Sequence, residues 1–224
     1  MSDQQREDLA MSVRFLYQEK LLSATGHLSL RLDDGQRFLI NPLNVLARDV
    51  RAEQLLTVDL EGKVVDGNDV VPAEIVIHTE IYKARPDVQS ICHFHAPIAT
   101  TFPIAGVKLE PVLFLAAIFR DGINVHPDPD LVVTREQGQA LARSLAGGRA
   151  VIMRGHGCVV VGEELSACVS GCYYLEENAR FQYQAMQIGT HVPLSKEELD
   201  RSYKLGKKAT LRFWSYVKNT AGRT

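Results

Sequence analysis

Hydrophobic and polar positions change period several times along the chain, and each change predicts an element. Over residues 4–20, Leu9, Val13, Phe15 and Leu16 supply the apolar positions of an amphipathic helix. A turn-forming cluster, Ser23-Ala24-Thr25-Gly26-His27, follows. From His27 to Arg31 the pattern becomes an alternation of period two, as in a half-buried strand. Asp33-Asp34-Gly35 predicts a hairpin turn and residues 37–40 its returning strand, closed by Asn41-Pro42-Leu43-Asn44. Residues 55–60 read as a third strand, turned at Glu61-Gly62.

A helix is expected to open at Pro72, because proline is favoured in a first helical turn. It runs to about residue 84, and Pro86 stops it. Residues 90–95 form a strand, and Pro97 starts a short helix. The apolar stretch 111–119 is ambiguous between helix and strand. A Pro/Asp loop covers 126–130, a helix 136–145 ends at Gly147-Gly148, and two strands (150–153 and 158–161) flank Gly155-His156-Gly157. A long helix spans 165–187. A last helix opens at Ser195, where Ser195 and Glu198 fit a capping box.

Strands and helices are mixed, with no internal repeat and no low-complexity linker. The expected fold is α/β: a single α/β/α domain over residues 1–224, with a mostly antiparallel central sheet between helical layers and a C-terminal helical extension over 190–224. A length of 224 residues suits one domain. The net charge of −2 argues against nucleic acid or an anionic membrane surface as the main partner. No apolar run reaches membrane-spanning length, and the polar, acidic start does not read as a signal peptide. The four cysteines, Cys92, Cys158, Cys168 and Cys172, form no C-x-x-C pair. They read as reduced, buried small hydrophobes, which implies a cytoplasmic protein.

The candidate chemistry lies mainly in residues 70–95. His93 and His95, at i and i+2 on a strand, project from one face and can reach one ion. Glu74, in the first turn of the preceding helix, is a third ligand or a general base. His156 sits between glycines that let the backbone turn sharply and approach a ligand closely. The plainer alternatives are a pair of half-buried sheet histidines and a Glu74 favoured by the helix dipole. His78, one turn after Glu74, reads as core or as support for a ligand. His126 reads as a surface residue and His191 as part of a solvated helix start.

Taken together these pieces resemble the class II aldolase/adducin family: Ala24-Thr25-Gly26-His27-Leu28-Ser29, Glu74, the stretch Ile81 to Asp87, His93-Phe94-His95 and Gly155-His156-Gly157. The resemblance covers about residues 9–187. It implies an α/β/α fold, a homotetramer with sites at subunit interfaces, and one divalent metal ion per subunit (Zn, Mn, Co or Fe(II)) on His93, His95 and His156, with Glu74 as fourth ligand or acid/base.

The departures from the family pattern matter as much as the matches. Sugar-phosphate aldolases of the family usually carry Gly-Asn in the first motif and Ser-Ser-Glu at the helix start, which bind phosphate. Here Gly26-His27 and Pro72-Ala73-Glu74 stand instead. The pattern looks closer to the decarboxylase branch, of the 3,4-dihydroxyphthalate decarboxylase type, which acts on hydroxylated aromatic or ring-opened dicarboxylates.

The expected activity is therefore metal-dependent decarboxylation of a hydroxy- or oxo-substituted dicarboxylate through a metal-stabilised enolate, with Glu74 as acid/base. Gly26, His27, Arg31, Asn41, Asn44 and Arg120 are the candidate substrate-binding residues, an arginine being expected to pair with a substrate carboxylate. The alternative is an aldolase or epimerase acting on a sugar phosphate, for which phosphate near Gly26 and Asn44 would be diagnostic.

Overall fold

The computed structural model describes residues 3–221; residues 1, 2 and 222–224, which the single-domain expectation included, lie outside the described residues. The chain begins with helix α1 (Asp3–Gln18), followed by strands β1 (His27–Arg31) and β2 (Arg37–Ile40). Strands β3 (Leu56–Asp59) and β4 (Val64–Asp66) lead to helix α2 (Ile75–Ala84) and strand β5 (Ser90–Phe94). Then come the short helix α3 (Thr101–Ile104), strand β6 (Asn124–His126), helix α4 (Arg135–Leu145), and strands β7 (Ala150–Met153) and β8 (Gly157–Gly162). Two long helices, α5 (Leu165–Ile188) and α6 (Lys196–Ala221), complete the order.

Among the described residues the strands form one eight-stranded sheet in the order β4-β3-β2-β1-β5-β8-β7-β6. Each neighbouring pair is antiparallel except β6 with β7. Strand alternation sends side chains to two separate cores. On one face Leu28, Cys92, Phe94, Ile152 and Val160 pack with α1, α5 and α6. On the other Ile91, Val151, Val159 and Val161 pack under α2 and α4. The architecture is α/β/α.

The apolar stretch near 111–119 resolves into a 3-10 helix, Phe114–Phe119. The helix expected at Pro97 starts later, at Thr101. The capping box is present: Ser195 N–H donates to Glu198 Oε2 (2.8 Å), and Glu198 N–H to Ser195 Oγ (3.3 Å). No helix among the described residues is long and apolar enough to cross a membrane.

Strand β1 carries its polar residues on the α2 side. His27, Ser29 and Arg31 alternate with Leu28 and Leu30, which belong to the opposite core. Arg31 lies at the far end of the strand from His27. Its Nη1 donates to the Gly35 carbonyl and its Nη2 to the Tyr82 and Arg85 carbonyls, and its guanidinium rests 4.5 Å from the Tyr82 ring centroid. These contacts satisfy the last carbonyls of α2.

Candidate metal centre

Helix α2 starts at Ile75, not at Pro72. Pro72 to Glu74 form a turn, with the Ile75 N–H donating to the Pro72 carbonyl. Glu74 therefore occupies the N-cap position rather than the first turn, and its side chain caps no helix amide. Instead Oε1 accepts the Val132 N–H at 3.0 Å, which aims the carboxylate at the sheet.

Its targets are the histidines. Glu74 Oε2 lies 3.4 Å from His93 Nε2, and Oε1 lies 3.6 Å from His156 Nε2. His93 is fully buried at the end of β5, and His95 stands one residue past it. Their ring centroids are 4.9 Å apart, and the His156 ring lies 5.1 Å from His93 and 5.7 Å from His95. His156 comes from the turn between β7 and β8. Gly155 takes φ +74° there, and Gly157 brings the backbone against both rings: a Cβ at Gly157 would stand 2.7 Å from the Phe94 carbonyl oxygen and 3.0 Å from His95 Cδ2.

All three rings are oriented from behind. His93 Nδ1–H donates to the Cys158 carbonyl (3.1 Å), and His156 Nδ1–H to the Asp130 carbonyl (3.2 Å). His95 Nδ1 is paired with Thr25 Oγ1 at 3.2 Å. A carbonyl only accepts, so His93 and His156 carry their protons on Nδ1 and turn an Nε2 lone pair inward, the tautomer a metal requires. His93 Nε2 is buried and has no hydrogen-bond partner, a costly state that a bound cation relieves. His93, His95 and His156 offer ligand atoms within 4.8 Å of one another, and so do His27, Glu74 and His93. The first group fits a divalent ion: three imidazoles plus a carboxylate make an open donor set that borderline metals accept.

The electrostatics agree. Burial opposes ionisation of Glu74, but the adjoining His156 and His93 rings outweigh it and hold the carboxyl well below the usual range. The Glu74 carboxylate, an acceptor for the protonated ring, raises His156. Burial, then the neighbouring His93 and His156, push His95 down to about 4. Below the raised His156 value the metal-free site carries a second proton on that ring, at Nε2, that an incoming ion must displace. Loading is therefore expected to release more protons on the acid side of the His156 value and fewer as pH rises past it. Calorimetric titration in buffers of different ionisation enthalpy reads this number directly.

Beside the histidines lies a cavity of about 160 Å³, walled by Thr25, Gly26, His27, Asn41, Pro72 and Glu74 among others. Asn41 Oδ1 accepts the Leu28 N–H at 2.8 Å, which fixes its amide. Three predicted residues are not brought here. Arg31 is committed to the α2 carbonyls. Asn44 turns outward and donates to Asp69 Oδ1. Arg120 stacks on Tyr203, with its guanidinium carbon 3.5 Å from the ring centroid, pairs with Asp200 at 3.5 Å, and lines a different pocket with Arg85 and Arg149.

Two histidine expectations are corrected. His126 is buried at the end of β6, with Nδ1 2.9 Å from Ser144 Oγ. His191 is half-buried against Gln182 and Glu110. The supporting groups Thr25, Cys158 and Asp130 escaped sequence reasoning because two of the three act through backbone oxygens, which carry no residue-type signal.

Residues 7–183 match the family described as the class II aldolase and adducin N-terminal domain. The chain belongs to the class II aldolase/adducin family. This class II aldolase family member is 35% identical, over 138 residues, to decarboxylase NovR of Streptomyces niveus, covering 60% of this chain and 51% of that protein. It is 32% identical, over 168 residues, to the 4-hydroxy-3-prenylphenylpyruvate oxygenase/4-hydroxy-3-prenylbenzoate synthase of Streptomyces roseochromogenus subsp. oscitans, covering 74% of this chain and 61% of that protein. The class II aldolase match thus spans between half and two thirds of the length of these relatives. Its fold is that of L-fuculose 1-phosphate aldolase from Glaciozyma antarctica PI12, with a TM-score of 0.84 at 24% identity, covering 97% of this chain and 89% of that one. Decarboxylases and sugar-phosphate aldolases both occur among its further relatives.

Proposed function

We propose that this member of the class II aldolase family is a carbon–carbon lyase that decarboxylates a hydroxy- or oxo-substituted aromatic or ring-opened dicarboxylate, using a divalent ion held by His93, His95 and His156. The observation that carries the choice of substrate is the cavity wall. Pro42 and Pro72 have no amide N–H, and Ala24, Val45, Ala73 and Leu131 add no side-chain donor. A phosphate needs a dense ring of N–H and O–H donors. A flat conjugated acid needs apolar walls with a few placed polar groups, and Thr25, His27 and Asn41 supply these.

A divalent ion at this site supplies Lewis acidity toward a substrate oxygen. The chain's own residues do the rest. The imidazoles are pre-oriented by Cys158 and Asp130, so no reorganisation is needed during reaction. Loss of carbon dioxide leaves an electron pair on carbon that a proton must quench. Glu74, poised between His93 and His156 and free of the helix cap, is held as a carboxylate, so its part is to orient the water that delivers that proton. Glu74→Gln is expected to keep the ion and lose on the order of 10²–10⁴ in turnover. Full turnover in that variant would remove Glu74 from this role.

The deciding assay is carbon dioxide release from metal-reconstituted protein across hydroxylated aromatic dicarboxylates, ring-opened oxo-dicarboxylates and short sugar phosphates. Metal-dependent release from a carboxylated substrate supports the reading. No release, with an aldehyde or triose phosphate appearing from the sugar phosphates, replaces it with the aldolase reading. A homotetramer, one ion per subunit and a cytoplasmic setting are part of the same proposal.

A further inference from the structure

A chain of hydrogen bonds runs from the cavity wall into the interior. His27 Nδ1 lies 2.6 Å from His78 Nε2. His78 Nδ1 lies 2.6 Å from Ser29 Oγ, and Ser29 Oγ lies 2.7 Å from the Tyr82 hydroxyl. All four side chains are buried, so water does not compete for these bonds.

Each link holds one proton, and a buried hydroxyl must donate somewhere. Among the described residues, Ser29 Oγ bonds only to His78 and Tyr82. The protons therefore point one way along the whole chain. In one direction Tyr82 donates to Ser29, Ser29 to His78 Nδ1, and His78 Nε2–H to His27 Nδ1, which leaves the His27 proton on Nε2, facing the cavity. In the other direction His27 Nδ1–H donates inward, and Tyr82 must donate to the Gln89 carbonyl.

Two observations choose the first direction. The Tyr82–Gln89 contact is 3.4 Å, far longer than the other links, and that carbonyl already accepts the Arg31 N–H at 2.8 Å. On the cavity side, a His27 ring nitrogen, a Glu74 carboxylate oxygen and a His93 ring nitrogen lie within 4.8 Å of one another. The carboxylate and the inward His93 lone pair are both acceptors; they attract an N–H and repel a lone pair.

We propose that His78 and Ser29 are positioning residues that lock His27 in the Nε2–H tautomer, so that His27 offers a fixed hydrogen-bond donor to an anionic substrate oxygen and is excluded from the metal's ligand set. The chain positions a proton and does not supply one. It ends at a phenol whose proton burial holds more firmly than usual, so passing the His27 proton onward would leave a buried phenolate. The donor role rests on the reading that the cavity receives an anionic substrate; the tautomer does not.

The test is a ring ¹⁵N–¹H correlation spectrum of the full-length protein carrying ¹⁵N-histidine, with and without zinc, in which His27 is assigned by its loss in His27→Gln. The expected result is a protonated Nε2 and a bare Nδ1 on His27 in both states, with a saturable shift of the Nε2–H signal on adding benzoate. Ser29→Ala removes the donor to His78 Nδ1. It is expected to mix the His27 tautomers and weaken benzoate on the order of tenfold, the scale of one hydrogen bond to a charged group, with zinc affinity unchanged. Tyr82→Phe leaves the Ser29 hydroxyl aimed at His78 and should leave the His27 tautomer intact. A proton on His27 Nδ1 in the unaltered protein, loss of the Nε2 proton on zinc loading, an unmoved tautomer in Ser29→Ala, or an Nε2–H signal indifferent to benzoate each overturns the proposal. Absence of carbon dioxide release with the tautomer and benzoate response intact counts against the decarboxylase reading alone.

Discussion

Replacing His93 by alanine is expected to strip the protein of its ion and, with it, of turnover. His93 is the fully buried member of the cluster, the one that comes nearer to Glu74 than His156 does, and the one whose Nε2 has no hydrogen-bond partner. Zinc bound by four protein ligands gains about 10–16 kcal/mol, so one ligand accounts for on the order of 3 kcal/mol, more than a hundredfold in affinity. The strand itself should survive, because Ile91, Cys92 and Phe94 keep their packing in the two cores. Metal content after dialysis, turnover, and far-ultraviolet circular dichroism check the three parts. Retained ion with lost turnover would move His93 from ligand to substrate contact.

Gly157→Ala is the second large effect, and it acts without touching a ligand. The added methyl would stand 2.7 Å from the Phe94 carbonyl oxygen, 3.0 Å from His95 Cδ2 and 3.2 Å from His93 Cε1. Two of those neighbours are ligand rings, and the third is backbone paired across β5 and β8, so nothing there yields cheaply. Overpacking of this kind costs about 1–3 kcal/mol, which for a chain of this size lowers Tm by roughly 2–10 °C. By pushing His93 and His95 off their inward aim it should also weaken the ion by about 10–100-fold, the scale seen when support behind a ligand is lost. Thermal unfolding measured with and without metal separates the two contributions. An unchanged metal affinity would mean that the turn shifts as a unit and carries the rings with it.

Much of this was legible in the chain. A period-two run marked β1 and the turn before it marked β2, while β5, β7 and β8 showed as short apolar runs because they sit between two apolar layers. The ligand histidines were legible because His-x-His at a strand end and a glycine-flanked histidine at a turn are both spacings with geometric consequences. The start of α2 was misplaced: Pro72 suits a first helical turn, but the chain spends it on the turn that aims Glu74. The arginines were less legible still. A sequence shows that Arg31 and Arg120 exist, not that three carbonyls and one tyrosine ring already engage them. The chain behind His27 could have been read in part. Alternation placed His27 and Ser29 on one strand face, and His78 and Tyr82 stand at i and i+4 on one helix face. What a sequence does not show is that those two faces meet.

The sheet also says something about how the molecule meets its own copies. Its two outer strands, β4 and β6, have only three residues each, and Asp66 at the tip of β4 is pinned by Arg6 at 3.0 Å. A border that short exposes few unsatisfied amides and carbonyls, and a charge at its tip discourages another strand from adding to it. Association of this chain with itself should therefore proceed through its helical faces, and unfolding, rather than strand-by-strand growth of the native sheet, is the route by which it would form fibrils.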